Sequence, residues 1–147
     1  MNDPLNISVE LTGVETTLPL LRENDYRFQI VESTIDPNKN QDGLNWNLKL
    51  GLAEPAEATD GRVVSVNFPV FMTLALQAKA DSKDPEAFKR SLGEAIDAIF
   101  QTDKTNRPAF NRQTATEAVG KTVKAHIYID NYNDRESNKV KRLKKDV

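Results

Sequence analysis

Leu44, Trp46, Leu48, Leu50 and Leu52 alternate without a break with Asn45, Asn47, Lys49 and Gly51. A helix would scatter these apolar residues around its circumference, whereas a pleated strand sends them all to one face, so residues 44–52 can only be a strand with one buried side. The same period of two recurs along the chain. Residues 26–32 set Tyr26, Phe28 and Ile30 against Arg27 and Gln29, and residues 62–68 set Val64, Val66 and Phe68 against Val63, Ser65 and Asn67, with Pro69 read as the stop. Residues 122–130 place Val123, Ala125, Ile127 and Ile129 opposite Thr122, Lys124, His126 and Tyr128. Turn formers separate the runs: IDPNKNQDG at 35–43, and Asn131 to Glu136 before a final basic strand at 138–145.

The period changes to 3.6 once. Residues 85–100 carry Phe88, Leu92, Ala95, Ile96 and Ile99 as one stripe, with Asp84 placed to cap and Pro85 at the first helical position. Residues 101–118, with Pro108 and many polar side chains, read as a long connecting loop anchored by Phe110. Residues 1–21 read as an N-terminal lead-in, with a weak alternation from Asn6 to Leu11. Three strands, a helix and two strands is the element order of a mainly β, five-stranded OB-fold: a Greek-key β-barrel with the helix between strands three and four. At 147 residues the chain is expected to form that single domain.

Several function classes find no support. Cysteine is absent and His126 is the only histidine, so there is no thiol nucleophile, no disulfide framework and no cysteine or multi-histidine metal site. Neither GxxxxGK[ST] nor GxGxxG occurs, and the carboxylates form no spaced pair. Gly120-Lys121-Thr122 opens a strand and lacks the upstream glycine of a phosphate loop. The expectation is a protein that is not an enzyme and needs no cofactor. No apolar run approaches the ~20 residues of a membrane span, so a soluble, cytoplasmic protein is expected.

Charge is distributed unevenly. Residues 134–147 hold six bases and three acids, against fourteen bases and nineteen acids in the other 133 residues. A net charge of −2 does not suit a general polyanion binder, but it is compatible with one directed groove for an anionic ligand. A lysine-rich edge strand that blocks aggregation accounts equally for the basic ending.

The segments YRFQIVES, VGKTVKAHIYI and YNDRESNKVKR, with the helix between the first two, resemble the phage-encoded OB-fold single-stranded-DNA-binding proteins over about residues 25–147. The resemblance implies a GK-containing strand, a Y-N hairpin and a closing N-V-K strand, and with them a role in phage DNA replication or recombination in the host cytoplasm. Its implied partners are single-stranded DNA, replication or recombination proteins, and a second copy of the chain as a homodimer. Many relatives of that kind end in an acidic tail, whereas this chain ends in KVKRLKKDV and is expected to use its C-terminus for nucleic-acid contact. Single-strand binders need cations for phosphates and exposed rings for bases. Arg27, Lys49, Arg135, Lys139, Lys141 and Arg142 are the candidate cations, and Tyr128, Tyr132 and Trp46 the candidate rings. Trp46 lies in the leucine register and so reads as core as readily as platform, while Phe71 is open to either role. The competing reading is a non-enzymatic β-barrel protein-interaction module or virion component.

Overall fold

The computed structural model describes residues 7–14 and 17–147; the remainder of the lead-in, including Asn6 at the start of its weak alternation, lies outside the described residues. The protein is mainly β. Strand β1 (Asn24–Pro37) is central and long, and pairs antiparallel with β2 (Leu44–Leu52) on one side. A small hairpin, β3 (Ala56–Glu57) and β4 (Val63–Val64), precedes β5 (Pro69–Ala75). Helices α1 (Ala87–Phe100) and α2 (Arg112–Glu117) follow, and β6 (Thr122–Tyr132) and β7 (Arg135–Lys144) close the chain. The five long strands form one antiparallel sheet in the order β5-β2-β1-β6-β7.

The sheet is not closed into the expected barrel. Its edges β5 and β7 approach one another, but no ladder joins them, and α1 packs against both. The buried face collects Phe28, Ile30, Trp46, Leu48, Leu50 and Leu52 from the first two strands, Val70 and Leu74 from β5, and Val123, Ala125 and Ile127 from β6. Ala95, Ile96, Ala98 and Ile99 of α1 complete it; of the expected stripe Ala95, Ile96 and Ile99 are buried, and Phe88 and Leu92 are half-buried.

Two bulges shape the sheet. In β1 the register shifts between Ile30 and Glu32, so Val31 is the extra residue; Phe28 and Ile30 point inward before it, and Ser33 and Ile35 pair with Leu48 and Trp46 after it. Gly51 lies beside this bend, where an added Cβ would stand 3.3 Å from Val31 Cγ1, tighter than ordinary van der Waals contact. In β7, Arg142 pairs with His126 and Val140 with Ile127, which leaves Lys141 as the extra residue. Val140 and Leu143 are three apart and could not share one face of a regular strand; the bulge turns both inward.

Several boundaries differ from the sequence reading. Strand β1 runs Asn24–Pro37 and not 26–32, taking in the start of the expected 35–43 turn, and β7 starts at Arg135, inside the expected 131–136 turn, and not at 138. The third sheet strand is Pro69–Ala75 and not 62–68. Proline is tolerated as the first residue of an edge strand, and Asn67, with φ 73°, turns the chain before it. Helix α1 starts at Ala87, after Glu86, and Asp84 does not cap it with Pro85 inside; the Asp84 side chain accepts from the Glu86 N–H and pairs with Arg90. The stretch 101–118 contains α2, capped by Asn111, whose Oδ1 accepts from the Thr114 N–H at 2.9 Å. Phe110 is an anchor, its ring centroid 4.8 Å from that of Trp46. Arg107 secures the same stretch to α1 by a two-point pair with Asp97, at 2.9 and 2.6 Å.

The lead-in is also fastened. Leu21 is fully buried, and the Asn138 side chain of β7 accepts from its N–H at 2.8 Å and donates to its C=O at 2.9 Å. Replacing Asn138 by Ala would leave both half-buried backbone groups without these partners, so Asn138→Ala is expected to lower stability by about 1–3 kcal/mol. Urea unfolding followed by tryptophan fluorescence checks this, and an unchanged midpoint would show that water replaces the amide without loss.

Candidate nucleic-acid interface

The candidate cations separate into two groups. Arg27 projects from the outer face of β1, but its guanidinium donates to Asp146 Oδ1 at 2.9 Å and Glu54 Oε1 at 3.0 Å, so both edges of the fork are engaged. Lys49 on β2 lies 3.8 Å from Glu32. Arg135, Lys139, Lys141 and Arg142 are exposed on β7, and among the described residues none has a carboxylate within 4.0 Å. Of the candidate cations, those without a carboxylate within 4.0 Å therefore all lie on β7.

The C-terminal residues, expected to assist nucleic-acid contact, lie against the outer sheet face. Lys144 pairs with Asp25 at 2.8 Å, Lys124 donates to the Val147 carbonyl at 3.1 Å, and Asp146 receives Arg27. These contacts fold residues 144–147 back onto the outer sheet face. His126 joins them, with Nδ1 2.7 Å from Asp25 Oδ1 and Nε2 3.3 Å from Glu23 Oε2. Among the described residues no cluster of His, Asp or Glu could hold a metal ion, and no helix is long and apolar enough to cross a membrane.

Among the candidate rings, Trp46 is corrected to core. It is fully buried, donates its indole N–H to Ser33 Oγ at 2.8 Å and packs on Phe110, so it presents no face to a base. Tyr128 is half-buried beside Lys139, its pairing partner on β7. Tyr132 is 73% exposed at the tip of the β6–β7 hairpin. Asn133 and Asp134 make that tip a two-residue turn, with φ values of 52° and 62°. Phe71, left open by the sequence, is 63% exposed on β5 and pairs with Lys49 across the outer face. The signal that would have assigned it is the register of β5: Val70, Met72 and Leu74 pair with Leu50, Leu48 and Trp46 on the core side, which leaves Phe71 and Thr73 outside.

A groove of about 720 Å³ runs between the two sheet edges over the start of α1. Phe71 and Tyr128 both line it, Lys139, Lys141 and Arg142 supply cations, and Arg90, also in the lining, is paired with Asp84. Met72, Leu74, Ala95, Val140 and Leu143 provide apolar surface, and Glu94 is the one acid in the lining among the described residues. Arg27 and Lys49 are not part of that lining, and neither are Tyr132 and Arg135 at the hairpin tip. The arrangement offers ring faces and cations along one channel, which is the chemistry that single-stranded nucleic acid requires.

No protein-family model matches this chain, and no curated protein matches it.

The ion pairs on the outer face respond to acid. The hydrogen bond from Lys144, and then that from His126, hold the Asp25 carboxyl below its ordinary value. Burial raises the Asp146 carboxyl, but hydrogen bonds from Thr122 and Arg27 outweigh it and the net shift is downward. Because the folded values are depressed, both groups stabilise the fold above the unfolded aspartate value of about 3.9, and that stabilisation is lost as pH falls through the folded values. Asp25→Asn is thus expected to be less stable than the parent at pH 7, with the gap closing below about pH 4. Thermal melts of both proteins from pH 7 to pH 2.5 check this, and a gap that stays constant with pH would remove the ionic explanation.

Proposed function

We propose that the protein binds single-stranded DNA with little sequence preference along the groove between β5 and β7. The observation that carries the reading is the presence of two accessible rings, Phe71 and Tyr128, in the same groove as Lys139, Lys141 and Arg142, whose charges no carboxylate among the described residues neutralises. Bases stack on ring faces whatever their identity, and phosphates follow the cations, so affinity needs no base-edge readout. The strand order supports the reading too. With α1 between β5 and β6 in the chain, β5-β2-β1-β6-β7 is the order that an OB-fold opened between its third and fifth strands would have. Tyr132 and Arg135 at the hairpin tip extend the track where such folds close over an oligonucleotide.

In this reading the action is passive. The protein coats exposed strands during phage DNA replication or recombination, so that they neither re-pair nor meet nucleases, and no residue is assigned a catalytic role.

The test is fluorescence anisotropy of a labelled, mixed-sequence 30-mer and its duplex at 50 and 200 mM salt. Neutralising about four phosphates at a slope of roughly −0.7 each gives about a fifty-fold loss of single-strand affinity across that range. Phe71→Ala is expected to weaken single-strand binding by ~5- to ~150-fold, the equivalent of one lost stacking contact, with little effect on folding because the ring is exposed. Absence of binding to either probe at 50 mM salt would overturn the proposal in favour of a protein-interaction module.

A further inference from the structure

The groove between β5 and β7 contains one group that phosphate binding does not explain. Glu94 is exposed on α1 and is the one acid in the lining among the described residues. Its carboxylate makes no hydrogen bond and no ion pair among those residues, although Arg90 stands one turn before it; Arg90 pairs with Asp84 instead. A second cavity of about 460 Å³ shares Arg90, Glu94 and Leu143 with the groove, and its other two acids are engaged. Asp97 accepts from Arg107 and Thr102, and Asp103 accepts from Thr105. Glu94 is therefore the one carboxylate of either lining, among the described residues, that no protein group occupies.

A nucleotide has a phosphate, a base face and a base edge to place. On β7 the groove offers Lys139, Lys141 and Arg142 to phosphates, and Phe71 on β5 and Tyr128 on β6 offer rings to base faces. Helix α1 contributes Ser91 and Glu94, which are three residues apart and share one helical face. Base edges are the part of the ligand left to meet them. An ionised carboxylate accepts hydrogen bonds and never donates. Cytosine, adenine and guanine carry amino donors that it can take, whereas thymine and uracil put a carbonyl at the 4-position, an acceptor against an acceptor.

We infer that Glu94 is a specificity-determining residue of the groove, favouring amino-bearing bases over thymine and uracil within a binding mode that otherwise ignores base identity. The inference rests on the function proposed above. Beside phosphates alone, a carboxylate would only lower affinity; facing an amino group, it contributes to it.

The test compares labelled 30-mers of deoxycytidine and of deoxyuridine at 50 mM salt and mildly alkaline pH, where cytosine carries no added proton. The two bases have the same ring size, so stacking and phosphate contacts are matched and the pairing edge carries the difference. The parent is expected to bind the deoxycytidine oligomer roughly five-fold or more tighter. Glu94→Gln, at an exposed position, should bring the two affinities together, because an amide both donates and accepts. A carboxylate that merely repels phosphate predicts something else: Glu94→Gln would strengthen both oligomers by the same factor, and that result would overturn the inference. If the parent binds both oligomers but does not favour deoxycytidine, the proposed function stands and the inference alone falls. If neither oligomer binds, both fall.

Discussion

The bend in β1 at Val31 is the constraint on which the sheet depends. Before it, β1 pairs with β6 and with the end of β2; after it, pairing continues with β2 alone. A straight fourteen-residue strand would keep the sheet open and leave Trp46, Leu48 and Ile127 on a surface too broad for one short helix to cover. The bulge increases local twist and redirects the strand, so the sheet curls around a single core and brings β5 and β7 toward each other. Gly51 permits the bend by keeping β2 clear of Val31. The groove is what remains where the curl stops short of closure and α1 occupies the gap.

The parts of the fold that were legible in the sequence are those where one physical signal acted alone. Residues 44–52 have an unbroken alternation and form β2 with the expected bounds. The stripe of Ala95, Ile96 and Ile99 is buried as its spacing requires. Alternation fails as a guide wherever a bulge changes its phase. Strand β1 continues five residues beyond Glu32, but its inward set shifts from Phe28 and Ile30 to Ser33 and Ile35, so the alternation breaks off where the strand only bends. The third strand is displaced for a different reason: a proline after an alternating run reads as a terminator, although an edge strand needs no N–H at its first residue. Helix α2 is six residues long, too short for a periodic signal, and is held by the Asn111 cap and by Phe110 against Trp46.

The candidate site was legible as a set of residue types and not as a place. Arg27, Lys49 and the cations of β7 are equivalent in a sequence. They are not equivalent in the folded chain, because Glu54 and Asp146 reach Arg27 from distant positions while Arg135, Lys139, Lys141 and Arg142 have no carboxylate within 4.0 Å among the described residues. An exposed pair of this kind contributes little stability but strongly reduces the local positive potential. Of the candidate cations on the outer sheet face, Arg27 and Lys49 thus stand beside carboxylates, while those lining the groove on β7 do not.

That channel has an apolar floor as well as a cationic rim, and the combination determines what it accepts. A duplex shows phosphates but hides its base faces, so it can satisfy the rim and not the floor. An unpaired strand can satisfy both by stacking on Phe71 and Tyr128 while its phosphates follow Lys139, Lys141 and Arg142.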